Sequence, residues 1–156
     1  MASDNTSLQE INARAPVVAA TEIEVAAAPE AAWAVLTAIE RWPSWNPAVE
    51  SVAFEGALEE GAEFRWKAGP GTIRSTIRDV DAPWRIAWTG RSLGISAIHV
   101  HTFERSNGGT LVRTEESYDG LVARLFHERL QRMLDDALEG ELRHLKAEAE
   151  RQDRSA

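Results

Sequence analysis

The chain has 156 residues, room for one ordinary domain with a substantial core, and its 44% hydrophobic and 27% charged residues are those of a soluble globular protein. Seventeen basic residues against 25 acidic ones give a net charge of -8, which repels phosphate backbones and anionic headgroups, so neither nucleic acid nor a membrane surface is an expected partner. Cysteine is absent, which excludes disulfides, thiolate metal sites and cysteine nucleophiles. No apolar run approaches the roughly 18 residues of a membrane helix, and the N-terminus has neither a basic segment nor an apolar signal region, so a cytoplasmic protein is expected.

Residues 1–16, rich in Ser, Asp, Asn and Thr, read as a loose tail. From Val17 to Ala27 the sequence VVAATEIEVAA alternates, with Ile23 and Val25 on one face and Glu22 and Glu24 on the other, the period of a half-exposed strand. A helix follows: Pro29 suits a first turn, Glu30 sits where the macrodipole favours acid, and Trp33, Leu36 and Ile39 recur at helical spacing. Trp42-Pro43-Ser44-Trp45-Asn46-Pro47 predicts a broken helical turn, because each proline restricts the residue before it.

Between Val49 and Asp119 glycines punctuate the chain at hairpin intervals: Gly56 and Gly61, Gly69-Pro70-Gly71, Gly90 and Gly94, Asn107-Gly108-Gly109. Six meander strands are predicted, over about Val49–Glu55, Ala62–Ala68, Thr72–Val80, Trp84–Thr89, Ile95–Arg105 and Thr110–Tyr118, making seven with the first. After Gly120 the period becomes helical. Leu121, Leu125, Phe126, Leu130, Met133, Leu134, Ala137, Leu138, Leu142 and Leu145 form one apolar stripe, which predicts a single helix lying along the concave face of a curved sheet. One domain therefore spans residues 17–150, and residues 151–156 read as a frayed tail.

The segment IEVAAAPEAAWAVLTAIERWPSWNPAV, the GAEFRW strand from Gly61, the GISAIHVHTFE strand from Gly94 and GGTLVRTEESYDG before the last helix resemble the polyketide cyclase/dehydrase branch of the SRPBCC superfamily, the START-like, helix-grip proteins. The resemblance runs from about Val18 to Ala147. It implies an α+β fold in which a seven-stranded curved antiparallel sheet wraps around a long C-terminal helix, with two short helices after the first strand and a ligand cavity between sheet and helix. Following the alternation inward, the strands contribute Phe64, Trp66, Ile73, Ser75, Ile77, Ile86, Trp88, His99, His101 and Phe103 to the lining. Tyr118 lies near the rim, and Phe126, Leu130 and Met133 come from the helix. The list is mostly apolar, so the expected ligand is a hydrophobic or aromatic small molecule, lipid- or polyketide-like, with few polar groups.

Two features carry possible chemistry. His99 and His101 lie two apart on one strand and share a face, so both imidazoles point inward with Phe103. Glu116 shares the inward parity of Val112 and Thr114, where burial would raise its pKa. In the family this strand commonly offers a glutamate shortly before the glycine that opens the last helix, as Glu116 precedes Gly120. Each also has a structural reading, a hydrogen-bonded histidine and an edge ion pair. His99, His101 and Glu116 are metal-ligand types, but same-face strand residues diverge, so no metal is expected. No GxSxG is present, which speaks against a serine hydrolase, and no cofactor is expected, since there is no Walker A or dinucleotide fingerprint. Two readings stay open, a ligand-binding or transfer protein and a cyclase or dehydratase using His99 and Glu116 as acid and base. The chain is expected to be a monomer or homodimer.

Overall fold

The alternating segments become seven strands in the computed structural model, which describes residues 8–156. They are β1 (Val17–Val25), β2 (Ser51–Ala53), β3 (Glu63–Lys67), β4 (Ile73–Asp81), β5 (Arg85–Ser92), β6 (Ile95–Ser106) and β7 (Gly109–Asp119). All pairs are antiparallel, and the spatial order β1-β7-β6-β5-β4-β3-β2 is a meander whose first strand returns to pair with the last. Between β1 and β2 lie α1 (Pro29–Thr37), a 3-10 turn (Ile39–Arg41) and the four-residue α2 (Trp42–Trp45). The expected second strand shrinks to three residues. The predicted Asn107-Gly108 turn forms with positive φ at both residues, the geometry that matches the twist of flanking strands.

The C-terminal segment is not one helix. A short α3 (Leu121–Leu125) is separated from the 29-residue α4 (His127–Ser155) by Phe126, whose φ of -119° and ψ of 30° lie outside the helical well. The bend lets two surfaces be covered: Ala123 is buried and Val122 lies over Gly94 at the end of the sheet, while α4 packs along β1 and α1. It also leaves Leu121, Leu125, Phe126 and Met133 more than half exposed, although the stripe would have buried them. The true core stripe is Leu134, Leu138, Leu142, Leu145 and Ala149, and α4 remains helical to Ser155 where a frayed tail was expected. Gly120 makes the turn between β7 and α3 possible. Its φ is +107°, and a Cβ there would stand 2.5 Å from the Gly94 carbonyl oxygen. No helix among the described residues is long and apolar enough to cross a membrane.

Residues 8–16, read as part of a loose tail, cross the outer face of the sheet without regular structure and are tied to it; residues 1–7 lie outside the described part. Asn12 N–H donates to Ser117 Oγ on β7 (3.0 Å), and Gln9 N–H donates to Asp79 Oδ2 on β4 (2.8 Å). Arg85 closes the anchor, pairing with Asp79 at 2.6 Å and donating to the Gln9 carbonyl. Simple alternation from Ile73, Ser75 and Ile77 would turn Asp79 inward. A register shift between Ile77 and Asp79 instead places Asp79 opposite Ala87 on the outer face.

Leu138→Ala removes a fully packed side chain and should cost about 2–5 kcal/mol in urea unfolding, whereas Met133→Ala on the exposed flank should change stability by less than about 0.5 kcal/mol. Equal effects would mean that α4 does not grip the sheet through this stripe. Arg85→Ala leaves the Asp79 carboxylate half-enclosed without its cation, and roughly 2 kcal/mol or more should be lost. Faster amide exchange at Gln9 and Asn12 should accompany that loss, and unchanged exchange would show that the arm does not depend on this ion pair.

Candidate functional site

The two halves of the concave face are built from different chemistry. On one side Trp42 packs edge-on against Phe64 and Trp66 at 5.6 and 5.3 Å between ring centroids, and lies 5.5 Å from Trp88. The Trp42 indole N–H donates to the Leu36 carbonyl (2.8 Å) and that of Trp66 to Ser75 Oγ (3.0 Å), so neither the buried Trp42 nor the half-buried Trp66 has an orphaned donor. Trp88 seals this half against the next: its far side meets the imidazoles of His99 and His101 at 5.0 and 5.1 Å.

Beyond Trp88 the face becomes polar. The pairings His99↔Glu116 and His101↔Thr114 bring four inward side chains of β6 and β7 into one square, and α4 lowers Glu141 onto it. His101, fully buried, is hydrogen-bonded through Nε2 to Glu141 Oε1, and His99 Nε2 lies 3.9 Å from Glu141 Oε2. Thr114 Oγ1 is 2.7 Å from His99 Nε2, and Glu116 Oε2 is 3.5 Å from His99 Nδ1. The two rings are only 4.3 Å apart between centroids, tilted by 35°, so the expected divergence of same-face strand residues does not occur here. His101 Nδ1 is buried with no partner among the described residues.

Burial dominates the electrostatics. It lowers the His99 pKa to about 3, with His101 adding to the effect and Glu141 opposing it, so this ring is neutral at neutral pH. A neutral ring has one donor and one acceptor, and its neighbours are satisfied when Thr114 donates to Nε2 and Nδ1–H faces Glu116. Burial, reinforced by Glu141, raises the Glu116 carboxyl well above the usual carboxylate range. Burial also pushes Glu141 up, but His101 and His99, together with the His101 hydrogen bond, outweigh it and hold Glu141 below that range. The carboxyl of Glu116, burial and Glu141 all raise the Tyr118 phenol, which is therefore a hydroxyl at neutral pH.

The structure brings His99, His101 and Glu116 together as the alternation implied, and buries Phe64, Ser75, Ile77, Ile86, Trp88 and Phe103 on the same face. Trp66, Ile73 and Tyr118 are half-buried, as is Leu130. Phe126 and Met133 are not enclosed: the bend after α3 leaves them 56% and 53% exposed. Glu141 and Thr114 were missed. Thr114 had been used only to fix parity, but Glu141 left a signal: it stands between Leu138 and Leu145 on the buried stripe, where an acid is out of place. Two surface depressions of about 330 and 360 Å³ flank the β6–β7 hairpin at Ser106–Gly109 and touch none of these residues.

A search of curated proteins finds no match to this chain. Among solved structures, the hypothetical protein jhp0584 from Helicobacter pylori aligns over 92% of this chain and 98% of its own, with a TM-score of 0.79 at 13% identity. The di-domain ARO/CYC protein StfQ of the steffimycin biosynthetic pathway aligns over 87% of this chain and 51% of its own, with a TM-score of 0.75 at 19% identity. A START superfamily protein from Mycobacterium smegmatis aligns over 82% and 98%, with a TM-score of 0.62 at 15% identity. At these identities the likeness is one of fold. Residues 16–150 match the family described as polyketide cyclase / dehydrase and lipid transport, and with the helix-grip architecture just described the chain belongs to that START-like family.

Proposed function

We propose that the chain binds a hydrophobic or aromatic small molecule, lipid- or polyketide-like, on the concave face beside α4. The observation that carries this reading is the uneven filling of that face. Around Trp42, Phe64 and Trp88 aromatic rings close it, but toward the end of the sheet Trp66, Ile73, Ala97 and Tyr118 keep partial exposure around the small Ser75 and the side-chain-free Gly90. Concave, part-exposed apolar surface between a curved sheet and a helix is where small molecules bind, and this end of the face is the part left uncovered. The polar square behind Trp88 modifies the expectation drawn from the apolar lining: the ligand has an apolar body over Trp66 and Ile73 and one polar group directed at His99, Glu116 or Tyr118. The family's own description, which includes lipid transport, supports the same ligand class.

A series of fatty acids and fused-ring aromatics of roughly 10 to 25 heavy atoms should include compounds that shift tryptophan emission and raise the melting temperature by mass action. Ala97→Trp, at a part-exposed position between Gly90 and Tyr118, would cover this surface and should abolish both effects while leaving the protein folded. If no compound in the series produces either effect, or if Ala97→Trp binds as the parent does, the reading falls.

The contact between His99 and Glu116 favours a second reading, a cyclase or dehydratase in which these two groups act as acid and base on a carbonyl compound held in the same place. Glu116→Gln keeps size and hydrogen bonding but removes the exchangeable acid. On a confirmed substrate it should lower turnover by about 10²-fold or more with binding retained. Parental turnover in this variant would remove Glu116 from any such reaction.

A further inference from the structure

The cluster behind Trp88 poses a charge problem that a ligand with an apolar body does not solve. Among the described residues neither Glu116 nor Glu141 forms an ion pair with a lysine or arginine; Glu116, raised by burial, is a neutral acid, so the charge to be met is that of Glu141, whose only cationic partners would be the two imidazoles. Buried carboxylates are ordinarily paired with a cation or coordinated to one. His101 is also held incompletely for a structural histidine, since its whole ring is buried and its one tie runs through Nε2 to Glu141.

From this geometry we infer that His99, His101 and Glu141 form a binding site for a divalent first-row transition-metal ion of the zinc class. Each residue offers one donor atom, and the three atoms lie within 4.8 Å of one another. Two imidazoles and one carboxylate are an established donor set for zinc and for non-haem iron. Bonds of about 2.0–2.1 Å in a tetrahedral site set donors roughly 3.3 Å apart. His99 Nε2, 3.9 Å from Glu141 Oε2, must move closer to reach that spacing, while His101 and Glu141, already in contact, must part to admit the ion. The surroundings fit as well. Glu116 faces His99 Nδ1 as a second-sphere carboxyl that holds the imidazole in the Nδ1–H tautomer, and Thr114 Oγ1, now 2.7 Å from Nε2, must turn its hydroxyl away to release that lone pair to the ion. Three protein donors leave a fourth coordination position, which the polar group of a bound molecule would fill.

The inference stands apart from the identity of any organic ligand and is tested on the full chain after chelator treatment, with Zn²⁺ and Co²⁺ as probes. One equivalent of either ion should bind with a dissociation constant of roughly micromolar or tighter, and should raise the melting temperature. The Co²⁺ form should show the visible bands of a four- or five-coordinate N/O site, and X-ray absorption of the Zn²⁺ form should count two imidazoles. Glu141→Gln, of the same size and able to keep a hydrogen bond to His101, should weaken binding by about 10²-fold or more, and Glu116→Gln by about 10- to 10²-fold. His127→Asn and His144→Asn should bind as the parent does. His101→Asn alters a fully buried position and can fail to fold, so Glu141→Gln and the parental absorption spectrum decide. Substoichiometric binding to the parent, or stoichiometric binding that survives Glu141→Gln, overturns the inference. A chain that takes up an apolar ligand but no metal overturns it too, and leaves the ligand-binding reading intact.

Discussion

A helix that carries a carboxylate into the hollow of a sheet must find a partner for it there. The Glu141 contact with His101 is where that requirement is met, and the arrangement of the polar half of the fold follows from it. For Glu141 to reach β6, α4 must lie close over β1 and β7, and its leucines then fall on Val17 and Ala19. For two imidazoles to accept burial beside it, one must stay neutral, and Thr114 and Glu116 supply the hydrogen-bonding environment of a neutral His99. Trp88 separates this polar group from the aromatic packing around Trp42, lowering the local dielectric on one side of both rings. The same burial that makes the group costly makes it responsive to any charge that enters.

Much of this was legible in the chain. The seven strands, the two short helical pieces after the first strand and the inward parity of His99, His101 and Glu116 followed from alternation, proline placement and glycine punctuation, because those signals are local. The family resemblance added the long-range arrangement that alternation cannot supply, one curved sheet wrapped around the C-terminal helix, while the return of β1 to pair with β7 is seen only in the structure. What stayed hidden depends on tertiary geometry. The break at Phe126 has no proline or glycine to announce it; the helix bends because the sheet ends, and no spacing of apolar residues records where a sheet ends. Asp79 changes face through a bulge, and a single added residue reverses every parity inference beyond it. The N-terminal arm is ordered by bonds to Asp79, Arg85 and Ser117, all more than 65 residues away in sequence.

Glu141 is a different case, since it was visible and overlooked. A stripe of leucines invites the reader to count the apolar positions and pass over the exception among them. The exception is informative: an acid kept on a buried helical face adds no packing and is expensive to desolvate, so it is retained for what it contacts. The same logic separates the tryptophans. Trp42 and Trp66 have their indole N–H groups satisfied by the Leu36 carbonyl and Ser75 Oγ, and Trp88 is held between aromatic and imidazole rings, so packing accounts for these three.

The pairing of β1 with β7 has a consequence for how the molecule is made. Residues 17–25 find their strand partner only in residues 110–118, so the meander from β2 to β6 can assemble from neighbouring contacts while the first strand waits for almost the whole chain. Such long sequence separations slow folding, typically into the millisecond-to-second range of sheet-rich topologies. During synthesis, at about 5–20 residues per second, β1 and α1 emerge several seconds before β7 and α4 exist to cover them. Glu141 lies later still, in the helix that completes the grip. The polar cluster is thus the last part of the molecule to be completed, and a chain cut short before α4 would carry His99, His101, Thr114 and Glu116 on the sheet without the carboxylate that joins the two imidazoles.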